Sequence, residues 1–587
     1  MADAQQLITD NIDVWTSAIK KKSATGRGSS KKIELTGIKK LRELILELAV
    51  RGKLVPQDAN DEPASVLLKR IAEEKAQLIA DKMIKKTKAL PEVTDKEKPF
   101  ELPQGWEWSK LQNIGHDLGQ KKPDQDFTYI DVASINKELG FIEEPNIVTA
   151  ENAPSRARKL VKKGTVIYST VRPYLLNIAV INDDFSPEPI ASTAFSIIHP
   201  LSGISASYIY RYLRSPIFIS YVESVQTGIA YPAINDKQFF SGLIAIPPEA
   251  EQQRIVAKVD ELMALCDQLE QQTEQSLSAH QTLVEVLLAA LTECKDANDF
   301  QTNWQRISDH FDVLFTTELS IEQLKQTILQ LAVMGKLVPQ NPSDEPASVL
   351  LEKIAEEKAQ LIADKKIKKQ KPLPAITDEE KLFELPRGWE WSRIFDASLF
   401  TEYGTSEKAF ESDEGVPVLK MGDIQSGKVL HGGQKVVPST IDDLPNLYLE
   451  YGDVLYNRTN SAELVGKTGM FEGESNAYTF ASYLIRIRCH SASVTPQYLT
   501  LSMNTPLFRR TQIDPHIKKQ CGQANVNGTL MKSMIVSIPP LAEQHRIVAK
   551  VDELMALCEQ LKARLSDAQT TQLHLADAVV ENALSSS

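Results

Sequence analysis

Apolar residues recur at helical spacing in two stretches free of Gly and Pro, residues 249–291 and 541–584. The first contains EQQRIVAKVDELMALCDQL and the second EQHRIVAKVDELMALCEQL, each behind a proline pair. Steps of four and three alternate, as in a helix packed along a partner helix. The pattern predicts two long helices that bury each other. The predicted seam is Ile255, Val259, Leu262, Cys266, Leu269, Leu283, Leu287 and Ala290, then Ile547, Val551, Leu554, Cys558, Leu561, Leu565, Ala568, Leu575 and Val579.

Most of the remaining chain is also written twice. Residues 41–111 return as residues 324–394, with DEPASVLLKRIAEEKAQLIADK matching DEPASVLLEKIAEEKAQLIADK. Apolar spacing predicts helices over residues 41–50 and 324–333, each stopping at a glycine, Gly52 or Gly335. The first copy carries an insert near residues 20–32, whose Gly, Ser and Lys content predicts a flexible segment. Internal repetition therefore governs the architecture.

Between the motif GWEW and each proline pair, the two copies share a pattern but little sequence. Short strand-like runs at residues 165–171 and 453–459 each follow a glycine, and helical pieces come later. The prediction is an α+β fold in which two mixed α/β domains are joined by two long antiparallel coiled-coil helices, with helical N-terminal arms and pseudo-two-fold symmetry. The predicted domains are an arm (1–100), an α/β domain (101–248), a spacer helix with a second arm (249–383), a second α/β domain (384–540) and a C-terminal spacer helix (541–587).

Composition narrows the class of protein. A chain of 587 residues exceeds one hydrophobic core, and no apolar run reaches the length of a membrane span or forms a signal peptide. Five cysteines without a CxxC pair favour a reduced cytoplasmic protein without a zinc site. The net charge of −12 argues against non-specific nucleic-acid binding, although a local basic face remains compatible with it.

Motifs for catalysis are missing. No Gly-rich cofactor loop follows a strand, and no (N/D)PP(Y/F) motif of adenine methylation occurs. The run Gly466-Lys467-Thr468 lacks the earlier glycine of a phosphate loop, because Ser461 stands there. The nine histidines do not pair at metal-ligand spacing. We therefore expect no catalytic residues, cofactor site or metal site in this chain.

Basic and amide side chains make both α/β domains candidates for DNA contact. Arg, Asn and Gln can read base edges, while Lys mostly holds phosphates. Taken singly, each of these side chains is equally well explained as part of a solvated surface without DNA. The lysine runs at residues 82–88 and 365–371 are explained as cations at the C-terminal end of a helix, exposed to water. The Trp pairs in GWEW are interpreted as core anchors rather than base-stacking platforms. The candidates are Arg156, Arg158, Lys159, Lys162, Lys163, Arg172, Tyr174, Thr227 and Asn235 in the first domain, and Lys420, Arg458, Asn460, Lys467, Lys518, Lys519, Gln520 and Asn527 in the second.

The combined motifs resemble the specificity subunits of type I restriction–modification systems, and most closely those with long N-terminal arms (type IB). LPQGWEW and LPRGWEW open the variable domains, G(T/D)V(I/L)Y lies within them, and IPP…EQ(Q/H)RIVAKV closes them. The resemblance implies that each variable domain is a target recognition domain for one half of a split, asymmetric DNA site.

The same resemblance implies the partners. The helices would set the gap between half-sites and dock two modification subunits, which methylate adenine, and two restriction subunits would add ATP-dependent cleavage. S-adenosylmethionine, ATP and Mg²⁺ would then belong to those partners. Two alternatives stay open: a coiled-coil scaffold without a role on DNA, and a self-sufficient DNA methyltransferase, which the missing motifs oppose.

Overall fold

The computed structural model describes residues 4–21, 33–228, 230–294, 297–520 and 523–585. The chain forms two compact units, one of Met1–Ser276 with Ala568–Ser587 and the other of Leu277–Asp567. Each unit combines helices with short-stranded sheets, so the predicted mixture of helix and sheet is confirmed. Of the predicted insert, Lys20–Lys21 is a short strand, and residues 22–32 lie outside the described residues.

The helices include both predicted long elements, each of 45 residues. In chain order they are α1 (Ala4–Asp10), α2 (Ile12–Ser17), α3 (Thr36–Val50), α4 (Ala64–Ala80), α5 (Ala206–Leu213), α6 (Pro216–Val225), α7 (Asp236–Ser241), α8 (Glu249–Glu293), α9 (Ala297–Ser308), α10 (Phe311–Leu314), α11 (Glu318–Val333), α12 (Ala347–Ala363), α13 (Leu444–Leu447), α14 (Pro496–Met503), α15 (Pro506–Phe508), α16 (Gly528–Ser533) and α17 (Leu541–Ser585).

The strands of the first unit are β1 (Lys20–Lys21), β2 (Ile33–Glu34), β3 (Glu107–Lys110), β4 (Gly115–His116), β5 (Phe127–Ile130), β6 (Ile135–Asn136), β7 (Phe141–Ile142), β8 (Asn146–Val148), β9 (Ala157–Leu160), β10 (Val166–Ser169), β11 (Ile178–Val180), β12 (Pro189–Ser192), β13 (Phe195–Pro200) and β14 (Leu243–Ile246). One four-stranded sheet has the order β11-β10-β13-β4 and is antiparallel. The other has the order β8-β5-β12-β9, with β5 and β12 parallel.

The strands of the second unit are β15 (Glu390–Arg393), β16 (Phe400–Tyr403), β17 (Val416–Leu419), β18 (Ile424–Gln425), β19 (Lys428–Val429), β20 (Val436–Val437), β21 (Val454–Asn457), β22 (Thr459–Asn460), β23 (Thr468–Met470), β24 (Thr479–Phe480), β25 (Leu484–Arg488), β26 (Lys518–Gln520), β27 (Gln523–Asn525) and β28 (Ile535–Ile538). Three sheets have the orders β16-β25-β21-β23-β19-β18, β20-β17-β24 and β22-β27-β26. Strands β17 and β24 are parallel, as β5 and β12 are in the first unit.

The two α/β domains therefore share one topology despite their different sequences. The order β4-β13-β10-β11 of the first corresponds to β16-β25-β21-β23 of the second, and β8-β5-β12 corresponds to β20-β17-β24. In each domain the strand after GWE pairs with the strand before the proline pair, β3 with β14 and β15 with β28. The pairing of the sheet β22-β27-β26 in the second domain is reduced in the first to isolated bridges of Ala233 with Val171 and with Thr227.

The predicted seam holds through the first half of each long helix. Leu561 is half-buried. The other nine positions are buried: Ile255, Val259, Leu262, Cys266, Leu269, Ile547, Val551, Leu554 and Cys558.

Farther along, the heptad prediction is wrong at several positions, whereas the predicted Leu287 and Leu565 are half-buried against the core of the second unit. After Leu269 the covered positions of α8 advance in steps of four, four, three and four and reach Val284, and Leu283 is 49% exposed. Along α17, Ala576 is buried and Leu575 is 44% exposed. Ala290 and Ala568 are exposed as well. An eleven-residue repeat of about 3.67 residues per turn suits a straight helix better than a strict seven-residue repeat does.

Each seam also has a partner that the sequence pattern missed, the arm helix of its own unit. In the first unit, Arg42 of α3 pairs with Asp267 (2.7 Å) and Glu270 (2.6 Å) of α8, and Lys40 pairs with Asp577 of α17. Helix α3 therefore contacts the first half of α8 and the second half of α17.

The second unit uses equivalent contacts. Lys325 of α11 pairs with Glu559 of α17, and the Nζ of Lys336 donates to the carbonyl of Thr292 (2.6 Å) near the end of α8. One core cluster joins Leu288 from α8 with residues of α11 and α17.

Buried polar residues of the EQ(Q/H)R motif join each α/β domain to its long helix. The carboxylate of Glu251 accepts hydrogen bonds from the indole N–H of Trp106 (3.0 Å) and from Gln57 (3.4 Å). Gln252 accepts from the backbone N–H of Ser205 (2.9 Å). Burial raises the pKa of Glu251, and the bonds from Trp106 and Gln57 offset part of that rise.

The second copy repeats this network. Glu543 accepts from Trp389 (3.1 Å) and Gln340 (3.1 Å), while Gln544 accepts from the backbone N–H of Thr495 (2.8 Å). Burial raises the pKa of Glu543 in the same way. Trp106 and Trp389 are each 5% exposed, so the interpretation of these residues as anchors is confirmed.

Candidate nucleic-acid interface

In the first α/β domain, the segment that leaves central strand β10 packs beside the turn that leads into α7. The backbone N–H of Thr170 donates to Ala194 (2.9 Å), and that of Ile234 donates to Thr170 (3.0 Å). The N–H of Arg172 donates to Pro232 (2.8 Å). These bonds gather residues 170–176, 230–235 and the β12–β13 connection at one end of the sheets. We call this end the loop end of the first domain.

Arg172 and Tyr174, both predicted DNA contacts, lie at this loop end. Arg172 adopts a left-handed backbone conformation (φ +50°), and its guanidinium carbon lies 4.9 Å from the ring centre of Tyr231. Tyr231 is 69% exposed and Tyr174 is 51% exposed. An exposed aromatic residue thus supports a half-buried guanidinium at the surface.

Thr227 and Asn235 flank the same turn and are exposed. Thr227 exchanges two backbone hydrogen bonds of 2.9 Å with Ala233. The side chain of Asn235 accepts from the N–H of Gln238 (2.9 Å) and caps α7. Asn527 caps α16 in the second domain by accepting from Leu530 (2.9 Å). Helix capping therefore explains these asparagines, whose side-chain oxygen is already engaged.

The first basic cluster is split between surface and interior. The carbonyl of Arg156 accepts from the N–H of Thr193 (2.8 Å), so Arg156 lies at the loop end, and its side chain is exposed. Arg158 is half-buried and donates to the neighbouring carbonyl of residue 157. Lys159 is only 3% exposed and pairs with Asp236 (3.1 Å). The prediction that Lys159 contacts DNA is wrong, because its charge is buried and compensated within the domain.

Lys162 and Lys163 precede β10 and therefore lie at the opposite end of that strand from Arg172. Both are exposed, and Lys163 pairs with Asp184 (3.4 Å). Burial, and then the charge of Lys162, lowers the pKa of His199 to about 4. The predicted basic cluster thus occupies two separate places in the domain.

The second domain has a comparable loop end around Arg458, which follows central strand β21. The N–H of Arg458 donates to Tyr483 (3.0 Å), and its carbonyl accepts from the N–H of Val526 (2.9 Å). Its guanidinium carbon lies 5.1 Å from the ring centre of Tyr403, which is 45% exposed. The phenol oxygen of Tyr403 accepts a hydrogen bond from the N–H of Gly528 (2.6 Å), so the hydroxyl end of the ring is held at the start of α16.

Four further predicted groups of the second domain surround this loop end. Asn460 pairs through its backbone with β27, next to Arg458. The carbonyl of exposed Lys467 accepts from the N–H at the end of β21 (2.9 Å). Exposed Lys420 follows β17 at the same end, since that strand runs parallel to β24. The backbone of Lys518–Gln520 forms β26 beside β27, and the side chains of Lys518, Lys519 and Gln520 lie outside the described part of the chain.

Charge pairing distinguishes two arginines from others in the same domains. Within the described residues, neither Arg172 nor Arg458 forms an ion pair with a carboxylate. By contrast, Arg488 pairs with Asp453 (2.7 Å), a buried carboxylate of β21's preceding turn. Nη1 of Arg458 donates to the backbone carbonyl of Ser482 (3.1 Å). A planar guanidinium without a carboxylate partner can bind two acceptors of a guanine edge or a phosphate.

Sequence reasoning missed Tyr231 and Tyr403 as parts of these sites. Tyr231 lies between the predicted contacts Thr227 and Asn235, in the run TGIAYPAIN, but carries no signal of its own. Tyr403 ends a strand of the six-stranded sheet, and only the fold brings it to Arg458. Contacts between residues far apart in the chain do not produce a periodic pattern in the sequence.

The described residues contain no group of three or more His, Cys, Asp or Glu arranged to hold a metal ion. The four cysteines that the structure describes are free and buried. Among the helices of the described ranges, none has the length and hydropathy needed to cross a membrane.

The family of the "Type I restriction modification DNA specificity domain" matches residues 103–279 and 386–568. The chain is 42% identical over 605 aligned residues to the type I restriction enzyme EcoEI specificity subunit of Escherichia coli, with 99% of each chain covered. It is 42% identical over 597 residues to the EcoAI specificity subunit of Escherichia coli, again with 99% of each covered. A crystal structure of the HsdS subunit from Thermoanaerobacter tengcongensis shares 22% identity and a TM-score of 0.45, covering 83% of this chain and 98% of that chain.

Full-length identity and a family match in both α/β domains agree with the duplicated motifs. A role as specificity subunit, and not as a catalytic subunit, is thereby confirmed, and neither the scaffold nor the self-sufficient methyltransferase is favoured. The chain belongs to the family of type I restriction–modification specificity subunits.

Proposed function

We propose that each α/β domain reads one half of a bipartite, non-palindromic DNA site. One observation carries the proposal: two domains of one topology each present, on the segment leaving the central strand, an arginine that has no carboxylate partner among the residues that the structure describes. The surrounding side chains differ between the domains. Two different surfaces on one framework suit two different half-site sequences, since base-edge contacts specify sequence.

The long helices set the distance between the half-sites in this proposal and run antiparallel as a coiled coil. In each unit the arm helix contacts the first half of one long helix and the second half of the other, which supports this arrangement. A 45-residue helix extends about 68 Å at 1.5 Å per residue. That length suffices to hold domains over half-sites roughly 34–36 Å apart, one turn of DNA.

The chemistry belongs to partners in this proposal. Two modification subunits methylate adenine with S-adenosylmethionine, and two restriction subunits cleave unmodified DNA with ATP and Mg²⁺. The specificity subunit contributes double-stranded DNA recognition and works in the cytoplasm, where that DNA lies. The family assignment supports this division of labour, because the EcoEI and EcoAI relatives are specificity subunits of type I restriction enzymes.

Sequence-specific binding and methylation test the proposal together. The full chain is combined with modification subunits of its own system, and methylated adenines are mapped across genomic DNA by single-molecule sequencing. We expect one asymmetric motif with two defined segments around a fixed unread gap. A gel shift of a duplex with that motif should resist random-sequence competitor DNA. Methylation without a bipartite motif, or binding that the competitor abolishes, would remove the proposal.

A further inference from the structure

Two cation–π pairs in the structure have an unusual environment. Cations lie over aromatic rings at several places, but in the part of the chain that the structure describes only Tyr231 and Tyr403 are exposed rings in such pairs. Their partners are Arg172 and Arg458, which form no ion pair within the described ranges. By comparison, the ring of Tyr210 beneath Arg214 is only 9% exposed.

The two tyrosines come from different elements. Tyr231 belongs to the turn before α7, and Tyr403 ends β16. The two arginines also occupy different positions, because Arg172 bonds to Pro232 whereas Arg458 occupies the place that residue 170 has in the first domain. Two domains of one topology thus reach the same arrangement from non-equivalent residues. Shared descent of the framework does not by itself account for this.

We propose that Tyr231 and Tyr403 are positioning residues, each holding its arginine so that the guanidinium reads one guanine in the corresponding half-site. The inference deepens the proposed function and rests on it. The ligand is the major-groove edge of guanine, whose O6 and N7 accept the paired N–H groups of arginine.

The physical reason is pre-organisation. A free arginine side chain loses considerable rotamer freedom when it is fixed, and a planar fork works only in one orientation. Stacking on an exposed ring fixes that plane before DNA arrives. Nη1 of Arg458 also donates to the carbonyl of Ser482 (3.1 Å), which helps to hold this guanidinium in place. Because neither arginine pairs with a carboxylate in the described residues, no ion pair has to be broken before DNA binds.

The experiment uses the complex of the full chain with its modification subunits. Wild-type methylation first defines the two half-sites. Duplexes are then made in which each guanine in turn is replaced by 7-deazaguanine, which lacks the N7 acceptor, and methylation kcat/KM is measured. One guanine per half-site should lose roughly 2- to 13-fold, because the loss of N7 leaves the O6 acceptor in place and removes about half of a bidentate contact.

The variants then assign each guanine. Arg172→Ala should become insensitive to 7-deazaguanine at one position of one half-site. Tyr231→Ala should reduce discrimination there by roughly 2- to 5-fold, as expected for an exposed cation–π contact. Tyr231→Phe keeps the ring face and should retain discrimination. The double variant Arg172→Ala with Tyr231→Ala should be no less specific than Arg172→Ala alone, because the tyrosine acts through the arginine.

Arg458 and Tyr403 should behave in the same way for the other half-site. Tyr451→Ala is the matched control, since this tyrosine is exposed and lies at the opposite end of β21 from Arg458. It should leave discrimination unchanged. If Arg172→Ala and Arg458→Ala lower methylation of all duplexes equally and no guanine is sensitive to N7 removal, the guanidinium groups hold phosphates and the inference is wrong. That result leaves the proposed function standing, whereas a wild-type complex without any bipartite motif ends both.

Discussion

Replacing Trp106 by Phe tests the buried network that joins the first α/β domain to α8. The substitution removes the indole N–H that bonds to the carboxylate of Glu251 at 3.0 Å, and Glu251 is only 1% exposed. Its remaining bond from Gln57 is long at 3.4 Å. A hydrogen bond to a charged group stabilises by about 1.5–3 kcal/mol, so local opening of this junction should become easier by that amount at pH 8.

Trp108 supplies a control of the same chemistry. It lies two residues away, and its buried indole nitrogen has no hydrogen-bond partner in the described structure. Trp108→Phe loses the same atoms without losing a bond. Native-state hydrogen exchange of peptides covering residues 246–260 measures the local opening free energy of both variants.

The effect should also depend on pH. Because folding raises the pKa of Glu251, the corresponding stability is fully present below the unfolded-state pKa and is lost as pH rises through the folded-state pKa. Trp106→Phe raises the folded-state pKa further, so the deficit of the variant should grow between pH 5 and pH 8. Equal exchange in both tryptophan variants, or a deficit that shrinks with rising pH, would refute this reasoning.

Two further substitutions test burial within each unit. Lys159→Ala should destabilise the first domain by about 1–3 kcal/mol, since it removes a 3% exposed side chain and its bond to Asp236, whose carboxylate is itself half-exposed. Lys163→Ala should change stability by about 0.5 kcal/mol or less, and thermal unfolding compares the two variants. Val284→Glu should lower the melting temperature of the second unit sharply, while Leu283→Glu should be tolerated because that side chain is 49% exposed. If calorimetry showed that Leu283→Glu lowers the melting temperature more than Val284→Glu does, the strict heptad register would be correct.

Local patterns predicted the elements better than their partners. The long helices, the stops at Gly52 and Gly335, and the central strands follow from spacing and from glycine, because these are interactions within a few residues of chain. Gly52 has φ +69°, and a Cβ there would lie 2.5 Å from Pro103. The eleven-residue drift of the seam after Leu269 was missed, since it depends on the arm helices that cover the seam.

The candidate site was predictable only in part. Arg172 and Arg458 were found because each follows a recognisable central strand. The prediction for Lys159 was wrong because side chains along strand β9 alternate between the interior and the surface, so a basic run in it includes positions of both kinds. The sequence also does not show that Asp236 folds beside Lys159. Tyr403 comes to Arg458 from a distant strand, so no local signal marks it.

The most direct test of the central claim is an exchange of residues 101–248 for the corresponding domain of another specificity subunit, followed by mapping of methylated adenines. Two domains that read separate half-sites predict that one half of the motif changes while the other half and the gap stay the same. A motif altered in both halves, or unaltered in either, would contradict the account.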